Sequence, residues 1–184
     1  MLTANKIIEE LEKGNIGIEP FNKKQLNPNS YNVKLGHILK VYGPSRTLRC
    51  DMVNDPDETI IIPEEGYILK PNHLYIGATQ ETISSDKYIS AIDGRSSIGR
   101  LGIFIHATAG FGDLGFKGTY TLEIVPTIPV LIKPGIEIGQ VSFQQPEGDI
   151  DFLYKGRYQN QVLPTTSRLY MNEEELNPEY HYSK

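Results

Sequence analysis

Cysteine is nearly missing from this chain: Cys50 is the only one in 184 residues. No disulfide can form within the chain, and a structural zinc site built on several thiolates is ruled out. Long apolar runs are missing too, since nothing in the sequence approaches the roughly 20 residues that a membrane-spanning helix requires. Positive charge is in deficit. Lys and Arg number 18 against 23 Asp and Glu, a net charge of −5, so a polyanion such as duplex DNA would find no general attraction. Any phosphate-bearing ligand must then be small and held by a few focused positive groups. The segment from Met1 to Gly14 is polar with scattered charges, unlike a signal peptide. A cytoplasmic protein without nucleic-acid or membrane partners is expected.

Glycine, proline and β-branched residues are what the chain has instead. Its length suits one domain, 1–184, with a sizeable core. Ile7, Ile8 and Leu11 recur at helical spacing between Thr3 and Lys13, and Gly14 is a natural stop, which predicts a short amphipathic helix within 1–14. Beyond it, 12 prolines and 17 glycines punctuate short runs rich in Ile, Val, Tyr and Thr. Strands are predicted at Tyr31–Leu35, Ile38–Tyr42, Thr59–Ile62, Tyr67–Leu69, Leu74–Thr79, Ile89–Ile92, Ile103–Ala107, Thr119–Val125, Val130–Ile132 and Gln140–Phe143. Many short strands of this kind argue for an all-β sandwich or barrel. From about residue 149 to 184 the apolar alternation fades into a polar tail rich in Tyr, Gln and Asn. It is either disordered or an arm that folds over a site.

Two stretches carry candidate chemistry. Asp93-Gly94-Arg95-Ser96-Ser97-Ile98-Gly99-Arg100 sets two hydroxyls between two guanidiniums, with glycines that let a backbone approach closely. That is either a phosphate-binding turn or a surface turn with incidental arginines. The second is Glu123, inside the apolar run Leu122 to Val125. Burial there would raise its pKa toward a range useful for proton transfer. Strand alternation offers the opposite reading, with Thr121 and Glu123 sharing a solvent face. Asp113, in a glycine-rich loop, is a catalytic candidate or a turn former.

Other signatures fail. Gly110-x-Gly112-x-x-Gly115 matches a dinucleotide fingerprint, but a strand pattern rather than a helix follows it. No Gly-Lys-Ser/Thr occurs, so there is no Walker A lysine. No His is followed two residues on by Glu, and one cysteine cannot complete a zinc-deaminase motif. His37, His73, His106 and His181 show no ligand spacing.

At these residues the chain resembles the dCTP deaminase branch of the dUTPase superfamily. The matching stretches are Gly94–Ile124, Pro134–Phe143, Tyr154–Gln161 and Ser167-Arg168, and Asn27–Gly36 looks like the family's first motif. The resemblance implies a distorted jelly-roll β-barrel, assembled as a homotrimer with active sites between subunits. Glu123 then corresponds to the general base, taking a proton from the water that attacks cytosine C4 without zinc. Ser96 and Arg100 complete the deamination site, and the backbone of Ala109 holds the water. Arg95, Ser96, Ser97, Ile98, Gly99 and Arg100 cover phosphates, partly across the subunit boundary. Asp113 contacts the deoxyribose 3′-hydroxyl, and in dUTPases the matching carboxylate activates water for attack on the α-phosphorus. Thr121, Leu122 and Glu123 line the base pocket, while Gln140, Tyr154, Arg157 and Gln161 hold the triphosphate, the last three by closure of the arm. Mg²⁺ is expected to arrive on the nucleotide, and dTTP is admitted as a feedback inhibitor.

Within the family, the small turn Ala109-Gly110-Phe111 resembles that of members that go on to release pyrophosphate and form dUMP. The chain also departs from the family. Asn32 replaces a common Asp, Arg157 a common Lys, Leu114 a frequent Pro and Gly112 a frequent Ile. The competing readings are a deaminase that stops at dUTP, a trimeric dUTPase, and a non-catalytic nucleotide-binding regulator.

Overall fold

The computed structural model describes residues 1–106 and 109–171. Its first element, α1 (Ala4–Glu12), is the predicted helix. Ile7 is fully buried, and Gly14, with φ +73°, ends the helix in the left-handed conformation that glycine adopts without steric cost. Glu10 is also buried, which a carboxylate tolerates only when it is paired. Lys6 Nζ lies 2.8 Å from it and Asn15 Nδ2 donates to it at 2.6 Å. These bonds, Lys6 first, hold its carboxyl down to about 2.

Among the described residues, every named strand pairing is antiparallel. One sheet is built on β7 (Tyr75–Ser85) and β11 (Lys117–Pro126). On its far side β7 pairs with β4 (Ile38–Val41), which pairs in turn with β5 (Glu58–Ile61), while β1 (Ile16–Glu19) joins the other end of β7. The short β9 (Ile103–Phe104) continues the sheet beyond β11. The second sheet runs β10 (Phe111–Gly112), β8 (Ile89–Gly94), β13 (Glu137–Gln144), β3 (Ser30–Lys34) and β2 (Leu26–Asn27). A small ribbon pairs β6 (Tyr67–Leu69) with β12 (Val130–Ile132). Tyr31, Val141 and Phe143 from the second sheet join Tyr75, Leu122 and Ile124 from the first in one buried cluster. The arrangement is jelly-roll-like, and the pairings among the described residues close no barrel.

All ten predicted strands have a counterpart, and the differences have local causes. β7 runs on to Ser85, past the predicted end at Thr79, because Glu81 is satisfied inside the fold. Gln25 Nε2 and the Lys34 amide each donate to it at 2.8 Å, so a polar residue that looked like a strand end is buried. The predicted strand Ile103–Ala107 shortens to β9, and its last residue lies outside the described residues. The Arg/Ser turn forms a four-residue helix, α2 (Ser96–Gly99). The tail from Asp149 forms no helix or strand through Met171, turning at 157–160 and again at 169–170, and the rest of the expected arm, 172–184, lies outside the described residues.

Candidate active site

Alternation on β11 decides where Glu123 goes. Leu122 and Ile124 are fully buried, so successive side chains point to opposite faces and Thr121 and Glu123 leave the core side. They do not reach open solvent. A cavity of about 490 Å³ lies on this face, within the size range of small-molecule sites. Glu123 and Thr121 line it beside Ile76 and Leu74, and Ala109, Phe111, Gly112 and Asp113 line it from the glycine-rich turn. Both readings of Glu123 are therefore half right: it leaves the core, but the rest of the chain covers it.

That cover is the tail. Tyr154, Tyr158, Gln161, Thr165 and Ser167 all line the cavity. Backbone hydrogen bonds seat the arm along β11 and the turn before it. Tyr154 N donates to Leu114 O at 2.6 Å, Asn160 N to Lys117 O at 2.7 Å, and Thr119 N to Gln161 O at 2.9 Å. Gln161 Nε2 returns a bond to Thr119 O at 2.7 Å, and Gln159 Nε2 donates to Gly115 O at 2.7 Å. Glycine makes the close passage possible. At Gly115, with φ +84°, an added Cβ would lie 2.5 Å from Leu153 Cβ, well inside contact distance.

Asp113 closes a tight turn, its carbonyl accepting from Phe116 N at 3.0 Å. Phe116 packs edge-on against Tyr120 at 5.3 Å and Tyr154 at 5.9 Å between ring centroids. The cavity thus offers two carboxylates, an amide and several hydroxyls among aromatic and aliphatic walls. Such a lining suits a flat polar ring joined to a sugar. No Lys or Arg lines it among the described residues, so charge for a phosphate chain must come from elsewhere.

Of the residues expected at the site, Glu123, Thr121, Asp113, Ala109, Phe111, Tyr154 and Gln161 come together at this cavity. Gly110 adjoins it in the turn. Leu122 sends its side chain into the core, leaving only its backbone to a ligand. Ser96, Ser97, Gly99 and Arg100 are exposed on or beside α2, away from the cavity lining. Ile98 is buried beneath them and lines a separate hollow with Arg95 and Glu137. Arg95 pairs with Glu137 at 2.8 Å, and Asn32 Nδ2 donates to the same Glu137 carboxylate at 2.9 Å. Gln140 accepts from Ser30 Oγ at 3.0 Å on the second sheet. On the arm, Arg157 Nε donates to Met171 O at 3.1 Å, and Arg168 Nη1 donates to Arg157 O at 2.5 Å.

Sequence reasoning missed Tyr42, Leu48, Leu74, Ile76, Phe116, Tyr120 and Tyr158 as cavity residues. They come from distant segments, and nothing local distinguishes them from core or surface residues. The tyrosines of the arm were the one available hint.

A family model described as dCTP deaminase-like matches residues 1–146. The chain belongs to the dCTP deaminase-like family. Among its relatives, a protein of Clostridium acetobutylicum named dCTP deaminase, dUMP-forming, is 48% identical over 172 residues, 92% of this chain and 97% of the relative. Proteins of the same name from Clostridium beijerinckii and Leptospira biflexa are 42% and 43% identical, each over 95% of this chain and 98% or more of the relative. Among solved structures, the 2′-deoxycytidine 5′-triphosphate deaminase of Agrobacterium tumefaciens superposes with a TM-score of 0.64 at 19% identity. It matches 79% of this chain, which spans about half (48%) of that one. That likeness establishes the dCTP deaminase-like fold.

Proposed function

We propose that this protein deaminates dCTP at cytosine C4 and carries the product on to dUMP, with Mg²⁺ brought by the nucleotide. The observation that carries the reading is Glu123 under the arm, in a nucleoside-sized cavity with Asp113 lining the same space. Near-full-length relatives named for forming dUMP support it.

Glu123 accepts a proton from water as the oxygen adds to C4, then returns protons to ring N3 and the departing amine, releasing ammonia and dUTP. Water without a metal is a poor nucleophile and must be oriented as well as deprotonated. The backbone of Ala109 supplies that orientation, and Ser96 and Arg100 complete the deamination site. Thr121 and the backbone of Leu122 border the base. In the second step Asp113, which also binds the 3′-hydroxyl, draws a proton from water attacking the α-phosphorus, and pyrophosphate leaves. The small turn of Ala109, Gly110 and Phe111 leaves room for that second water. The arm holds the triphosphate through Tyr154, Arg157 and Gln161, and Gln140 joins them.

In one chain Ser96 and Arg100 lie off the Glu123 cavity, which favours a homotrimer with shared sites, where Arg95, Ser97, Ile98 and Gly99 reach phosphates bound mainly by a neighbour. Among the described residues no three His, Cys, Asp or Glu side chains gather to hold a metal. Phosphate oxygens suit Mg²⁺, a hard cation that keeps water and phosphate ligands. Its contribution is to neutralise charge on the polyphosphate. Regulation by dTTP and a cytoplasmic location go with the same reading. Among the described residues no helix is long and apolar enough to cross a membrane.

Incubation with dCTP and Mg²⁺, followed by separation of dUTP, dUMP, ammonia and pyrophosphate, tests the proposal. The expected result is dUMP and ammonia in equal amounts with little free dUTP. Accumulation of dUTP would remove the second step. Inertness toward dCTP with turnover of dUTP would remove the first.

A further inference from the structure

Beneath the Asp113 turn lies a pair of hydroxyls that the chemistry above does not use. Tyr120 is 6% exposed, and its Oη lies 2.6 Å from Ser90 Oγ. Ser90 Oγ donates to the carbonyl of Gly112 at 3.3 Å. A serine has one proton to give, so Ser90 must accept from Tyr120, and the relay runs Tyr120 to Ser90 to Gly112. Burial pushes the phenol up to about 12, with the Ser90 bond opposing and the Asp113 charge adding to the rise. Tyr120 therefore remains a donor at neutral pH.

Gly112 immediately precedes Asp113 and lies opposite Ser90 in the pairing of β10 with β8. A Cβ at Gly112 would fall 1.6 Å from Tyr120 Oη and 2.4 Å from Ser90 Oγ. The hydroxyl pair fills the space that a side chain there would take. Tyr120 also reaches the arm, through Phe116 to Tyr154.

We propose that Ser90 and Tyr120 form a positioning device that pins the Asp113 turn to β8 and gives the arm a rigid seat. Neither is a catalytic residue. The catalytic consequence rests on the role proposed for Asp113, but the positioning does not.

Hydrogen exchange on the full-length chain tests the positioning directly. In Tyr120→Phe and in Ser90→Ala, amides of residues 111–116 and 153–158 exchange about fivefold to tenfold faster, as befits one lost buried hydrogen bond. Exchange in β3 stays as in the native protein. Product analysis from dCTP gives the second readout. In Ser90→Ala, whose side chain does not line the cavity, the ratio of dUMP to dUTP falls by about tenfold and KM rises, while kcat for ammonia release holds within about twofold, because small misplacements of a reacting group are costly. Unchanged exchange at both segments would overturn the inference, as would a rise spread equally to β3, which would mark simple destabilisation. Selective exchange with an unchanged product ratio would support the positioning and overturn the role given to Asp113. A native protein inert toward dCTP would strike the proposed function, and the exchange result would still judge the device.

Discussion

At position 123 a carboxylate stands between two fully buried neighbours, Leu122 and Ile124, on a strand whose geometry leaves it no choice of face. What makes the position chemically useful is the half-burial that follows. Beneath the arm, Glu123 has apolar walls beside it and room for a base. Glu123→Gln keeps the shape and removes the proposed proton acceptor. Ammonia release is expected to fall by about a hundredfold or more, with nucleotide affinity, measured by calorimetry, within a few-fold of native. Deamination at the native rate in this variant would remove the mechanism.

Between elements, two junctions decide whether the scaffold works. The first is the crossing of the arm over the 113–116 turn. Ala at position 115 would occupy the left-handed backbone region, at a cost of order 1–3 kcal/mol, and drive its Cβ into Leu153. Gly115→Ala is expected to lift the arm, raising KM for dCTP far more than it lowers kcat. Thermal unfolding run in parallel separates lost seating from lost fold. The second junction is α1 on its buried acid. The Glu10 carboxyl is lowered from an ordinary 4.5 to about 2, chiefly by Lys6. A lowered folded-state value means that the stabilisation is complete above pH 4.5 and is lost as pH falls toward about 2. Glu10→Gln is expected to be less stable than native at neutral pH, with the gap closing across that window in denaturant titrations. A gap that stayed constant with pH would show that the charge is not what holds α1.

For the whole molecule, the arrangement of functional groups within one chain is the telling fact. Glu123, Asp113 and the arm share a cavity, whereas Ser96 and Arg100 are exposed elsewhere. The proposed trimer would bring these exposed groups of one subunit to the cavity of its neighbour. Mixing provides the test. Glu123→Gln and Arg100→Ala chains, each inactive alone, are refolded together in equal amounts. If adjacent subunits each supply half of a site, roughly a quarter of native activity returns, the chance that both halves are intact. Absence of recovery would place the whole site within one chain.

Much of this was legible locally. The helix spacing of Ile7, Ile8 and Leu11, the short β-branched runs and the Pro-Gly punctuation act through backbone geometry over a few residues, so they determined the helix and most strands without help from the rest of the chain, whereas β1, β2 and β10 were not predicted. Glu123 stood out because a charge inside an apolar run is costly, and Asp113 because it sits in a glycine-rich loop. The length of β7 was not legible, since Glu81 is buried only because Gln25 and the Lys34 amide reach it across the fold. Neither was the cavity, assembled from Tyr42, Ile76 and the arm over separations that no periodicity spans. Tertiary structure alone decided that Glu123 is covered, because the cover comes from residues more than thirty positions away. It also decided that Gly112 yields its space to Tyr120, since two positions compete for one volume only after the strands have paired.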